Sequence, residues 1–202
     1  MSTRRTNEER TRTTRRALIS AARQRFEADG YPGTNLDHIA ELAGVTKGAL
    51  YHHFPTKRAL YEAVVLDIQD ELYEHFDQRA KKTESAWDKF VEVFISFIEV
   101  APEPGIRLLM VEAPAVLGFQ RWHDIVDQRS LPGIIDLLEG LQAEGDLAFE
   151  ATSELARVLL AISNVLGTLV SQDDDPRTAR SAVLPVWEHF LRSLRAPGSR
   201  DT

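Results

Sequence analysis

The most informative part of the chain is residues 34–58, which read TNLDHIAELAGVTKGALYHHFPTKR. Apolar residues at helical spacing predict one short helix before Gly44, through Leu36, Ile39, Ala40 and Ala43. A second short helix is predicted to open at Val45-Thr46, with Leu50 and Phe54 one turn apart. Two short helices joined by a glycine-containing turn form a helix-turn-helix pattern. We therefore expect this stretch to fold as a pair of helices crossing near a right angle.

The side chains that this packing leaves on the outside suit contact with DNA. They are Thr46, Lys47, Gly48, Ala49 and Tyr51. A helix start that carries a hydroxyl and an ammonium group can enter a major groove, and a glycine allows the backbone to come close to the duplex. The next helix begins at Lys57, where unpaired backbone N–H groups suit a phosphate. Helix-turn-helix spacing also occurs by chance in helical proteins, so a purely structural role stays open at this point.

The rest of the chain is also predicted to be helical, without period-two alternation. A first helix is predicted to end at Gly30, and a long fourth helix follows Thr56 with an apolar stripe from Leu60 to Phe76. Pro114 is expected to interrupt a short helix, and a kink or break at Leu131-Pro132-Gly133 to separate residues 122–128 from residues 132–144. We predict an all-α protein with a head of residues 1–58, including a basic N-terminal arm, and a body of residues 59–202.

Composition and charge exclude several functions. The chain of 202 residues has no cysteine, which excludes disulfides, thiolate metal sites and cysteine nucleophiles. Residues 1–58 carry a net charge of +5 and residues 59–202 a net charge of −12, so a polyanion should meet only the head. We find no phosphate-binding loop, nucleophile elbow or metal-ligand spacing, and expect neither an enzyme nor a cofactor. With no signal peptide and no apolar run near membrane length, we expect a cytoplasmic protein.

Residues 26–57, which read FEADGYPGTNLDHIAELAGVTKGALYHHFPTK, resemble the DNA-binding signature of the TetR (tetracycline-repressor-like) family. The resemblance implies a homodimer with a three-helix DNA-binding head and a helical ligand-binding body, which usually represses transcription until a small molecule binds. The matching positions are Gly30-Tyr31, Thr34, Ile39-Ala40, Ala43-Gly44-Val45, Lys47-Gly48, Leu50 to Phe54 and Lys57.

The same resemblance implies roles for individual head residues. Thr34 and Asn35 would begin the second helix against a phosphate, although Asn35 stands where a second threonine is common. Thr46, Lys47 and Gly48 would contact DNA bases or the adjoining DNA backbone. Phosphates or a thymine methyl would meet Tyr51 and His52, and Lys57 would hold a phosphate.

Two further features of the head have alternative interpretations. The arginines of the N-terminal arm could lie along phosphates or enter a minor groove, or Arg4 and Arg5 could simply be solvated. Arg15 and Arg16 are expected on the first helix, near the DNA backbone. No metal site is expected at His52-His53, because adjacent residues point to different faces of a helix.

The body is expected to pair with a second copy and to hold a small-molecule effector. The final helix pair, roughly residues 152–171 and 177–194, is the expected dimer surface, since it has more apolar residues than a small core needs and the family pairs here. A filled monomer core is the alternative. The effector pocket is predicted among Trp87, Phe90, Phe94, Met110, Trp122, His123 and Asn164.

These expectations combine into one functional prediction. The chain is predicted to be a ligand-responsive repressor that binds a palindromic double-stranded DNA operator as a homodimer. The alternative is a helical small-molecule-binding protein whose head is non-functional or binds DNA nonspecifically.

Overall fold

The computed structural model describes the backbone of residues 2–148, 150 and 152–197, with side chains from residue 7 onward. Over these residues the chain is helical, which confirms the predicted fold class. A π-helical turn at Leu108–Glu112 joins two short helices, Pro104–Arg107 and Ala113–Leu117. The helices are α1 (Ser2–Gly33), α2 (Leu36–Leu42), α3 (Lys47–His53), α4 (Lys57–Ala80), α5 (Ala86–Val100), α6 (Pro104–Arg107), α7 (Ala113–Leu117), α8 (Phe119–Glu144), α9 (Thr152–Gln172) and α10 (Pro176–Ser193).

The head forms around one small apolar core. α1 breaks at Gly30, whose φ of 68° is a left-handed conformation that glycine adopts without steric cost. The chain then turns into α2, which packs against α1, and into α3, which packs against α2, while the start of α4 packs against α1. The largest buried side chains at this junction are Leu18, Phe26, Ile39, Leu50 and Phe54.

Polar residues fix where α2, α3 and α4 begin. Asn35, Thr46 and Thr56 precede α2, α3 and α4, and each accepts a hydrogen bond from a backbone N–H in the first turn of its helix. Such caps satisfy donors that the helix itself leaves unpaired. Caps of this kind therefore set the starts of the three helices at which the predicted DNA contacts lie.

Two proline residues do not break their helices as expected. α8 continues through Pro132, where neighbouring Leu131 and Ile134 are buried. Burial of such side chains compensates for a cost of about 3 kcal/mol for proline inside a helix. Pro114 lies in the first turn of α7, where its missing N–H removes no essential bond. The expected interruption at Pro114 was therefore wrong, and of the kink or break expected at Pro132 the break is absent.

The body is a layered bundle in which α5 packs against α4, α8, α9 and α10. α9 is long and apolar enough to cross a membrane by length and composition only, a criterion that the core helices of globular domains also meet. Its inner residues Ala156, Leu159 and Val170 are buried, as in the core helix of a globular domain. α9 also carries a row of exposed apolar side chains, discussed below.

Candidate DNA-binding site and effector cavity

The structure brings five of the predicted DNA contacts together at α3. Thr46, Lys47, Gly48, Tyr51 and His52 are all exposed and lie within two turns of this helix. The Tyr51 side chain is 42% exposed. On the opposite face, buried Leu50 holds α3 against the head core. The helix thus presents a hydroxyl, an ammonium, a bare backbone and a phenol to one side of the molecule.

The space around Gly48 shows that the fold does not itself require a glycine. A Cβ added there would meet only the Thr46 hydroxyl oxygen, at 3.9 Å. Gly48 lies inside a helix, where glycine is less favourable than alanine. Nothing in the surrounding packing accounts for it, whereas close approach of a partner from outside does.

Lys47 is held by the neighbouring helix. Its Nζ lies 2.8 Å from Oδ1 of Asp37 in α2, and the hydrogen bond to Asp37 raises the pKa of Lys47. The lysine is therefore charged at neutral pH. Both side chains are more than half exposed, so water screens the pair and the lysine can exchange Asp37 for a stronger anion.

Lys57 stands at the first position of α4 and is half-buried. Its Nζ lies 4.7 Å from the centre of the Tyr31 ring and 3.4 Å from the Pro32 carbonyl oxygen. Desolvation by burial lowers the pKa of Lys57. Contacts with the ring and the carbonyl hold the Lys57 ammonium against the end of α1.

Thr34 does not face outward as expected. Its side chain is 4% exposed, and its hydroxyl lies 2.7 Å from the Gly30 carbonyl oxygen and 3.2 Å from that of Arg25. The threonine therefore secures the end of α1 and does not offer its hydroxyl to a phosphate. Asn35 is exposed, and its Oδ1 accepts from the Asp37 N–H at 2.8 Å.

The two histidines of α3 have different surroundings. His52 is exposed, whereas His53 is half-buried, with ring centroids 5.4 Å apart. Burial, followed by the charges of His52 and Arg15, lowers the pKa of His53. Across the described part of the chain, no three His, Cys, Asp or Glu side chains form a group that could hold a metal ion.

The basic arm is part of α1. Arg10, Arg12 and Arg16 lie on this helix, and the Arg15 guanidinium lies 4.4 Å from the centre of the Phe54 ring. The side chains of Arg4 and Arg5 lie outside the described residues.

A cavity of about 360 Å³ lies among α4, α5, α8, α9 and the π-helical turn. Of the predicted pocket residues, Phe94, Met110 and Asn164 line it. Trp87, Phe90 and Trp122 are buried elsewhere in the core, and His123 lies on α8 with its Nδ1 3.3 Å from Asp127 Oδ2. Those four were placed wrongly.

α4 contributes lining residues that were not among the predicted pocket residues. Gln69, Leu72, Tyr73 and Phe76 line it from α4. One signal was available in the sequence, since Gln69 is a polar residue within an otherwise apolar helical stripe.

Hydrogen bonds join the head and the first turns of α4 to the segment that forms one wall of the cavity. The Tyr31 N–H donates to Glu112 Oε2 at 3.0 Å, and the Tyr61 hydroxyl donates to the Leu108 carbonyl at 2.8 Å. Burial, followed by the charge of Glu112, raises the pKa of Tyr61, so it remains a hydroxyl donor. Arg58 donates to the carbonyls of residues 116 and 117. Leu109 and Met110, in the same π-helical turn, line the cavity.

The all-helical fold and the exposed α3 define a helix-turn-helix DNA-binding protein. Residues 18–64 match the family model described as bacterial regulatory proteins of the tetR family. Residues 87–194, more than half of the chain, match the tetracyclin repressor-like C-terminal domain. The chain belongs to the TetR family of transcriptional regulators, as its sequence resemblance predicted. Because members of this family are DNA-binding regulators without catalytic activity, the prediction that the chain is not an enzyme is confirmed.

Individual relatives share the sequence and the fold to different extents. The A-factor receptor protein of Streptomyces griseus is 28% identical over 185 residues, which are 91% of this chain and 64% of that protein. The regulator RutR of Escherichia coli K12 is 50% identical over 56 residues, 28% of this chain and 26% of RutR. The chain thus spans less than two thirds of either relative. A TetR-family regulator from Pectobacterium atrosepticum superposes with a TM-score of 0.82 at 27% identity, covering 93% of this chain and 97% of that one.

Proposed function

We propose that this regulator is a ligand-responsive repressor that binds a palindromic operator as a homodimer, in the cytoplasm where the operator DNA lies. One observation carries the proposal: residues 108–117, which form one wall of the cavity, also accept hydrogen bonds from Tyr31 at the end of α1 and from Arg58 and Tyr61 at the start of α4. DNA contacts from each head are assigned to Asn35, Thr46, Lys47, Gly48, Tyr51, His52 and Lys57. Buried Thr34 keeps a positioning role at the end of α1.

The exposed apolar faces of α9 and α10 support a dimer. Val158, Val165 and Leu169 are each more than half exposed and recur along one side of α9. Val186 is 72% exposed on α10, and Phe190 lies one turn further along at 38%. Such a face costs free energy in water, and a second copy would bury it in a four-helix arrangement. Trp187 and Leu194, also predicted for this surface, are buried in the monomer core.

A twofold-symmetric dimer presents two copies of α3. Two such helices fit neighbouring half-sites only when their centres lie one helical turn apart, about 34 Å, or a multiple of it. Groove fit therefore depends on the separation of the heads, and a small tilt of each head weakens both contacts together.

The head–body hydrogen bonds provide a route for such a tilt. A ligand that displaces Leu109 or Met110 moves the π-helical turn, to which Tyr31 and Tyr61 are bonded. The ligand must bind one head spacing more tightly than the other, or nothing moves. A coupling free energy of about 1–3 kcal/mol changes operator affinity about 5- to 150-fold. The name of the Streptomyces griseus relative, a receptor, agrees with a ligand-responsive role.

Selection of bound duplexes from a random DNA pool, followed by titration of small molecules against the selected complex, tests the proposal. We expect an inverted-repeat sequence and a ligand that lowers its affinity. A protein that binds small molecules but selects no sequence would instead be a binding protein with a non-functional head. A ligand shown to occupy the cavity without changing operator affinity would refute the switch.

A further inference from the structure

We propose that the cavity takes a small uncharged ring compound bearing a hydroxyl or carbonyl group, and that Gln69 recognises that group. The inference rests on the proposed function, in which the same cavity holds the effector. Its evidence is which lining side chains form hydrogen bonds within the protein and which of them are charged.

Gln69 is the polar group that needs an explanation. Its side chain is 5% exposed and lines the cavity from α4. Among the residues that the structure describes, no side chain or backbone group forms a hydrogen bond with its amide, although other lining residues such as Ser163 are paired. An amide carries two N–H donors and a carbonyl acceptor, so Gln69 can form hydrogen bonds with a ligand in the cavity that it lines.

The neighbouring polar groups of the wall define what that ligand must offer. Ser163 donates its hydroxyl hydrogen to the Leu159 carbonyl at 2.8 Å, so toward the cavity it can only accept. The half-buried Asn164 side chain is another amide without a hydrogen bond within the described ranges. A carbonyl oxygen accepts from the two amides, and a hydroxyl group can both accept from them and donate to Ser163.

Charged side chains stand only at the exposed rim of the cavity. Asp77 is paired with Lys81, at 2.5 Å, and Arg129 is paired with Asp70. Asp136 is exposed to solvent. A charged group on a ligand would therefore be desolvated in the interior without a counter-charge, which is strongly unfavourable. We infer a ligand that is neutral at physiological pH.

The remaining wall determines size and shape. Phe76, Phe94 and Phe97 supply aromatic faces, and Leu109 and Met110 add apolar surface from the π-helical turn. The volume of 360 Å³ lies near the lower end of the ~300–1,000 Å³ common for ligand pockets. A single substituted ring suits such a space better than an extended chain or a multi-ring compound.

Calorimetric titration of the full-length protein with five ring compounds tests this inference. The probes are toluene, para-cresol, acetophenone, benzoate and benzylammonium. We expect para-cresol or acetophenone to bind about tenfold more tightly than toluene, the effect of about one hydrogen bond. Tighter binding of benzoate or benzylammonium, or no binding of any probe at millimolar concentration, would overturn the inference.

Two matched variants assign the preference to one residue. Gln69→Leu keeps the approximate volume but removes the amide, and should abolish the preference for the polar probes without lowering thermal stability. Gln78→Leu makes the same change on the exposed side of α4 and should keep the preference. A preference that survives in Gln69→Leu contradicts the assignment.

Operator binding, measured on the same preparations, distinguishes failure of the proposed ligand class from failure of the proposed function. If para-cresol binds through Gln69 while operator affinity is unchanged, the effector role fails and the ligand class stands. If benzoate releases the operator more effectively than the neutral probes, the ligand class fails and the proposed function stands.

Discussion

Replacing Gly48 with alanine should separate the stability of the head from its affinity for DNA. The new Cβ would lie 3.9 Å from the Thr46 hydroxyl oxygen, with no closer neighbour, and α3 is helical at this position. Removing a helical glycine stabilises the fold by up to about 1 kcal/mol. The same methyl group would stand between the α3 backbone and the duplex. Overpacking of a close interface costs about 1–3 kcal/mol, so we expect a loss of operator affinity of about 5- to 150-fold.

Urea unfolding and fluorescence anisotropy with labelled operator measure the two effects of this substitution. Gly140→Ala is the matched control, because Gly140 is a helical glycine of α8 that lies outside the head, and its new Cβ would meet no heavy atom within 4 Å. It should raise stability by about 0.5–1 kcal/mol and leave DNA binding unchanged. Unchanged operator affinity in Gly48→Ala would refute the close approach of α3 to the groove.

Three further substitutions test other parts of the account. Gly167→Ala would place a Cβ 2.7 Å from the Phe97 ring, closer than the ~3.5–4 Å of ordinary carbon contacts, so urea unfolding should show a loss of about 1–3 kcal/mol. Adding Phe97→Leu should recover part of that loss, and no recovery would contradict the steric explanation. Lys47→Ala should leave stability nearly unchanged, because its ion pair is exposed, yet flatten the log–log salt dependence of operator binding by about 0.9 for one phosphate contact; an unchanged slope would remove Lys47 from the interface. Because the pKa of His53 is lowered in the folded protein, the unfolded chain binds protons more readily, and the stability should fall as the pH drops below about 6.5. His53→Gln should weaken this pH dependence, measured by urea unfolding at pH 7 and pH 5. An equal pH dependence in both proteins would exclude His53 as its source.

The head was predictable from the sequence because its signals are local. Gly30, the caps Asn35 and Thr46, and the apolar spacing of Ile39 and Leu50 act within one or two turns of chain. Thr34 was misplaced because its inward orientation depends on carbonyl groups at the end of α1, in particular that of Gly30. Such a contact follows from how the chain folds back, which residue type alone does not reveal.

The cavity was less predictable because it depends on which face each helix turns inward. Trp87 and Phe94 both lie on α5 and both are buried, yet only Phe94 lines the cavity. Apolar periodicity identifies the buried face but does not distinguish filled core from cavity wall. The effect of Pro132 was misjudged for a related reason, since burial along α8 outweighs a local preference for a break.

Binding to selected duplexes with systematically varied half-site spacing tests most directly whether two heads read DNA together. The account predicts two protomers per duplex, highest affinity at one separation, and a steep loss when about half a helical turn is inserted between the half-sites. One protomer per duplex, or equal affinity at every spacing, would contradict it.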